Sequence, residues 1–424
     1  MEHDLVLDGR VVTPEGPEDA EVGVTDGVIR EIGHGLRGAR RIRADGCLVF
    51  PGFVDAHVHL REPGWERKEG FRTGTMAAIH GGVTTVADMP NNPTPTTTPE
   101  ALEEKSRLAA ARALVEVKFY GGIARGSTES LVKLSPDVAG YKLYMSETTG
   151  ARSFPAEELP RVFRLVAGTG KPLSIHCEDQ DVIDGAAEKL SGVSRPDAYC
   201  DMRPPSSETE AVARVVRALE GEKGLSANVC HASLGETLSL VEGARREGLR
   251  LRCEATLHHA YFSRRAMLDN PLLRTNPPLR AEEDREALVQ GLRLGRVSFL
   301  VTDHAPHLPE EKEEFGLAGV PGLDDYSHVV SWLMLSQRVD PAIVARVASF
   351  NPAKYLGLTD RGEVALGKRG DFTVIDLHAP EVARGDDVRS RCGWSPYEGR
   401  EFPGRARWVV LGGEVLMDDF ESVR

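Results

Sequence analysis

No apolar run in this 424-residue sequence is long enough to cross a bilayer. The opening residues, Met1-Glu2-His3-Asp4, lack the basic start and long apolar core of a secretory leader. Cysteine is scarce: six residues, at 47, 177, 200, 230, 253 and 392, with no C-x-x-C pair. That argues against a thiolate zinc site and for reduced thiols in a cytoplasmic protein. Positive charge is in deficit, 52 Lys and Arg against 65 Asp and Glu, a net charge of −13. Such a balance argues against non-specific partnership with nucleic acid or an anionic membrane. There is no internal repeat and no low-complexity tract. What remains, 41% hydrophobic and 28% charged residues, is ordinary for a soluble globular enzyme. The length suits one large domain with a smaller companion.

Residues 1–50 read as short strands and turns. Asp26-Gly27 between Glu21–Val24 and Val28–Ile32 is a hairpin signal. From residue 51 the texture changes, and eight apolar, β-rich runs alternate with helical stretches. The runs are Phe53–His59, Gly82–Met89, Val115–Ile123, Val138–Met145, Pro172–Glu178, Leu225–His231, Leu249–Leu257 and Val297–Asp303. The clearest helix, 208–219, carries Val212, Val215, Val216 and Leu219 at helical spacing, with Ser207 and Glu210 as a capping box. Thr98-Pro99 opens another, with a cap residue and then proline at the first helical position. Eight strand–helix units over roughly 250 residues make an α/β protein, a (β/α)8 TIM barrel, over residues 51–360. Meander texture returns in 361–424, where Gly412-Gly413 marks a hairpin. The two chain ends, 1–50 and 361–424, are therefore expected to build one small β-sandwich domain.

In such a barrel, chemistry sits at the C-terminal ends of the strands. Strand 1 ends in His57, His59 and Arg61, strand 2 in Met89-Pro90-Asn91, and strand 4 carries Lys142. Strand 5 ends in His176-Cys177-Glu178, strand 6 in Cys230-His231, strand 7 in His258-His259, and strand 8 in Asp303-His304-Ala305-Pro306-His307. Taken singly, His176 or His231 would be a satisfied core histidine, Lys142 a rim lysine, and Asp303 a turn residue. Yet most of the 13 histidines sit at these ends. Four imidazoles, a carboxylate and a bridging anion can hold two divalent ions. Lysine can bridge them only after carbamylation, which makes it an anionic ligand. Arg61 beside the metals points to an anionic substrate.

The chain resembles the amidohydrolase superfamily and, within it, the dihydroorotases. The motifs are Asp55-Ala56-His57-Val58-His59-Leu60-Arg61-Glu62-Pro63-Gly64, Met89-Pro90-Asn91, Asn276-Pro277-Pro278-Leu279-Arg280 and Asp303-His304-Ala305-Pro306-His307. The resemblance implies His57, His59 and Asp303 on the more buried metal, and His176 and His231 on the second. It implies two Zn2+ per subunit, bridged by carbamylated Lys142. Many bacterial relatives have aspartate in that segment, so Lys142 looks more like the animal enzymes and the hydantoinases. Arg61, Asn91 and His307 match residues that grip the substrate carboxylate. Asn276 matches a ring contact, His59 counts among the substrate-binding residues, and the run Gly319 to Gly322, with Pro321 and Gly322, would offer backbone groups to the ring. His258, His259 and Glu178 carry no ligand role and read as supports of the first layer.

The implied reaction is reversible closure of N-carbamoyl-L-aspartate to L-dihydroorotate in pyrimidine synthesis. Asp303 would act as general base and then acid on a metal-activated water. The partners implied are the small-molecule substrate, with room for a homodimer or a complex with aspartate carbamoyltransferase. An allantoinase or hydantoinase would share the metals but lack the Arg61 pattern. A scaffold that has lost metal ligands would lack the full set seen here. Residues 308–314, charged and followed by glycines at 316, 319 and 322, read either as a lid or as an ordinary solvated loop.

Overall fold

The computed structural model describes residues 2–126, 128–193, 195 and 197–423, apart from the side chains of 128 and 129. The chain starts in β1 (Glu2–Thr13), β2 (Gly16–Thr25), β3 (Val28–Gly33) and β4 (Arg37–Pro51). The β2–β3 hairpin turns at Asp26 and Gly27, with φ of 52° and 73°, the left-handed pair that such a two-residue turn requires. The barrel strands follow: β5 (Phe53–Val58), β6 (Val83–Asp88), β7 (Glu116–Gly122), β8 (Gly140–Tyr144), β9 (Leu173–His176), β10 (Ala227–Val229), β11 (Leu251–Thr256) and β12 (Phe299–Val301). Each lies inside one of the eight runs read from the sequence. After the barrel come β13 (Phe372–Asp376), β14 (Glu381–Val382), β15 (Glu401–Phe402), β16 (Arg405–Leu411), β17 (Glu414–Asp418) and β18 (Glu421–Ser422).

The eight barrel strands pair in parallel, in sequence order from β5 to β12. The ring closes just beyond the strands, where Val58 bridges His304 and His59 N–H donates to His304 O at 2.7 Å. The buried Asp55 carboxylate fastens the seam by accepting from Thr302 N–H and from Thr302 Oγ1 at 2.5 Å. Segment 346–356 plugs the opposite end. Ala353, Tyr355 and Leu356 pack on Val54, Ala56, Phe299 and Val301, and Tyr355 reaches Ser174 at 3.1 Å. With one end plugged by apolar side chains, the polar residues at the strand C-termini face the other. The two chain ends share a second eight-stranded sheet, in the order β18-β17-β16-β13-β4-β1-β2-β3. Its inward residues form one core that includes Leu5, Leu7, Val22, Val49, Phe372, Val374 and Val410. All six cysteines are free and buried.

Two local expectations are corrected. The helix expected at 208–219 runs Pro205–Glu220 and has no capping side chain, because Pro205 supplies the first helical position and Ser207, already inside, donates to Pro204 O. Residues 308–314 are not an unstructured solvated loop. Pro309–Phe315 is a helix with Pro309 at its start, Glu310 and Glu311 in its first turn and Gly316 as a left-handed cap, and Glu311 and Lys312 are buried. By contrast, Thr98 caps its helix as expected, accepting from Ala101 N–H ahead of Pro99.

The barrel is tied to the later chain by His328, buried between Asp325 (3.3 Å) and Glu381 (2.8 Å). Burial alone would depress its pKa. The two carboxylates outweigh that and raise it to about 9. An unfolded histidine titrates near 6.5. The resulting stability is therefore full below about pH 6.5 and lost as pH rises through about 9, a change of roughly 2–3 kcal/mol. Urea midpoints should fall between pH 6.5 and 9.5 in the wild type, and the fall should shrink in His328→Gln. Equal pH slopes in the two proteins would refute this assignment.

Candidate metal centre

Alternate positions on an extended chain face one way, and His57 and His59 do turn their Nε2 atoms to the same carboxylate oxygen, Asp303 Oδ1, at 3.3 and 3.1 Å. His176 Nδ1 and His231 Nε2 lie 2.9 Å apart. Lys142 Nζ stands between the groups, 3.4 Å from His57 Nε2 and 2.9 Å from Cys230 Sγ. His57, His59, Lys142, His176, His231 and Asp303 thus share one small pocket with Arg61, Asn91, Tyr144, Thr148, Thr149, Asn276, Ala318 and Gly319. Three of these residues, Arg61 (φ 62°), His231 (φ 38°) and Asp303 (φ 47°), hold left-handed backbone that non-glycine residues rarely adopt, as functional positions often do.

The hydrogen bonds behind the imidazoles decide what they offer in front. His57 Nδ1 is bonded to the Glu254 carboxylate, and His176 Nε2 to Glu178 at 2.9 Å, so those nitrogens carry the protons. Asn91 Nδ2 donates to Thr149 O at 2.7 Å, which turns Asn91 Oδ1 toward His59 Nδ1 at 2.8 Å and places the proton there too. The lone pairs of His57 Nε2, His59 Nε2 and His176 Nδ1 therefore point inward. His59 Nε2 then faces a carboxylate oxygen at 3.1 Å, acceptor against acceptor, which calls for a cation between them. Burial depresses His59 to about 3 and lowers His176 and His231, which keeps these three rings neutral. This donor set fits divalent metal. His57, His59 and Asp303 form one group of potential ligands, and His57, Cys230 and Glu254 form another.

Glu254 was not singled out from the sequence. It bonds His57 Nδ1, accepts His231 N–H at 3.0 Å and takes Asn228 Nδ2 at 2.8 Å. The available signal was the one acid in the run Leu249–Leu257, whose other charged residues are both arginines. Glu178 is likewise a support, held by Arg203 at 2.8 Å. His259 braces Pro277 O at 3.1 Å and Thr256 at 2.8 Å, away from the pocket. Tyr144 lines the pocket with a buried hydroxyl that has no hydrogen-bond partner among the described residues.

The substrate-side residues divide. Arg61 is 3% exposed and donates to Pro306 O at 3.2 Å. Burial lowers it to about 10, so it stays charged at neutral pH, and among the described residues no carboxylate lies within 4.0 Å of it. Asn276 lines the pocket, with Nδ2 donating to Thr148 Oγ1 at 3.3 Å and Oδ1 accepting from the Tyr199 hydroxyl. His307 does not line it. It sits behind Arg61 Nη2 (3.3 Å) and against Lys68 Nζ (3.1 Å), where burial and the two cations keep it neutral. Pro321 and Gly322 are also set back, since Gly322 N–H is spent on His304 Nδ1 at 3.2 Å. From the expected run 319–322, Gly319 lines the pocket, with Ala318 beside it.

Residues 48–416 match the Amidohydrolase family. The chain is 34% identical over 409 residues to a dihydroorotase of Methanothermobacter thermautotrophicus, covering 94% of this chain and 91% of that one. It is equally, 34%, identical over 436 residues to an allantoinase of Rubrobacter xylanophilus, covering 98% and 94%. An L-hydantoinase structure from Arthrobacter aurescens superposes with a TM-score of 0.96 at 26% identity, over 100% of this chain and 98% of that one.

Proposed function

We propose that this chain, which belongs to the amidohydrolase family, is a dihydroorotase that interconverts L-dihydroorotate and N-carbamoyl-L-aspartate in pyrimidine synthesis. That it is a hydrolase of cyclic amides follows from the family and from its dihydroorotase and hydantoinase relatives. The finer reading rests on one observation: the buried, carboxylate-free guanidinium of Arg61 at the wall of the metal pocket. Dihydroorotate carries a ring carboxylate that can neutralise it. Allantoin carries none, and its binding would leave a charge buried without a partner, which is costly. The allantoinase relative of equal identity makes that enzyme the second reading.

In the proposed site, His57, His59 and Asp303 would hold one Zn2+, His176 and His231 would hold a second, and Lys142, once carbamylated on Nζ, would supply an anionic ligand to them. Bound there, zinc supplies an activated water and polarises the ring amide carbonyl. The chain's own residues do the rest. Arg61 and Asn91 orient the carboxylate, so that much of the rate comes from positioning. Asp303 Oδ1 faces the two imidazoles, which leaves Oδ2 to take the proton of the attacking water and pass it to the leaving ring nitrogen. Glu254, Glu178 and Asn91 fix the tautomers of His57, His176 and His59. Ring opening creates a second carboxylate and releases one proton, so low pH favours dihydroorotate and high pH the open form. The test is appearance of N-carbamoyl-L-aspartate from L-dihydroorotate with zinc-loaded protein, and a protein that holds zinc yet leaves L-dihydroorotate intact would refute the reading.

A further inference from the structure

One wall of the pocket is built from two loops, 274–276, which carries Asn276, and 317–319, which carries Ala318 and Gly319. Their backbones meet at a single bond, Gly319 N–H to Arg274 O at 2.9 Å. Beneath that bond lies the Lys312 ammonium. It donates to Arg274 O at 3.2 Å, to Leu317 O at 2.9 Å and to Gly319 O at 2.5 Å, so each of its three N–H groups is used and both loops are held. The side chain is buried, and the Trp394 ring lies 5.9 Å from Nζ. That tryptophan is itself anchored by its indole N–H on His307 O at 2.9 Å.

Arg274 completes the clasp from the other loop. Its guanidinium donates to Gly316 O at 2.7 Å and lies 4.6 Å over the ring of Tyr199, whose hydroxyl bonds Asn276. The neighbouring acid, Glu311, is committed to Lys68 at 3.1 Å and to Arg67. Among the described residues no carboxylate pairs with Lys312, and its polar partners are three backbone carbonyls. A buried cation with only carbonyls for company is an expensive way to hold a loop. Apolar packing would have served a purely structural purpose at less cost. The fit is also close: Gly319 has φ +132°, and a Cβ there would stand 2.4 Å from Ala305 O.

We propose that Lys312 is a positioning residue for substrate binding: its ammonium clamps loops 274–276 and 317–319 into the wall that grips the ring. Only the identity of that ring rests on the dihydroorotase reading. Lys312 touches neither the metal ligands nor the reacting atoms, so its loss should act on binding and spare the chemical step.

The experiment compares Lys312→Met with wild type, using whichever of L-dihydroorotate, allantoin and hydantoin the wild type turns over. Failure of the dihydroorotate reading therefore leaves the comparison intact. The expected result is a KM raised about 10-fold or more, with kcat within about threefold and zinc content unchanged. An unchanged KM, or kcat and zinc falling together, would overturn it. Gly319→Ala displaces the same wall, and with it the carbonyl that accepts from the ammonium, and should show the same KM-dominated defect. If Lys312→Met does not fold, an unchanged KM in Gly319→Ala overturns the proposal.

Discussion

Asp303→Asn should lower kcat by roughly 10²–10⁴-fold, the range expected when a positioned general base is removed. The amide keeps the shape of the carboxylate but cannot take a proton. It also loses the charge that holds Oδ1 between His57 and His59, 3.3 and 3.1 Å away. Zinc content measured on the same sample separates the two effects. If at least one equivalent of zinc remains while turnover is lost, the deficit belongs to proton transfer. If turnover survives within tenfold with zinc bound, another group carries the proton and the assignment to Asp303 fails.

Arg61→Met should raise KM for L-dihydroorotate by about 10–100-fold, the value of a charge-assisted bond of about 1.5–3 kcal/mol. Any turnover of allantoin should be left unchanged or improved, because the uncompensated buried charge is gone. The guanidinium also supports Pro306 O and contacts His307, so the thermal midpoint should be followed in parallel. Equal losses on the charged and uncharged substrates would show that Arg61 shapes the pocket without reading the carboxylate.

The barrel was legible because its strands are buried on both faces and so appear as continuous apolar runs between helical periods. β5 to β12 fall within the eight runs, and the His57–His59 spacing and the Asp303 motif place the candidate ligands at their ends. The hairpin at Asp26-Gly27 was legible because only a left-handed pair makes that turn. Contacts that cross the fold were not. Glu254 lies 197 residues from His57, and nothing local marks the pairing. Lys312 was read as one more charge in a polar segment, although its three partners are backbone carbonyls, which carry no side-chain signature. His307 and Gly322 were placed at the substrate because their motifs adjoin it. Their bonds to Lys68 and to His304 cross the fold and carry no local signature. The helix at Pro309–Phe315 was missed because its run of charges outweighed its caps, Pro309 and Gly316.

Among all these, the ratio of kcat/KM for L-dihydroorotate to that for allantoin, on one zinc-loaded preparation of the wild-type protein, tests the central claim most directly. The account predicts a ratio well above 100, since a buried Arg61 without its carboxylate costs the uncharged ring several kcal/mol. A ratio near or below one would keep the metal centre and the cyclic-amide chemistry, and would contradict the claim that Arg61 selects the substrate.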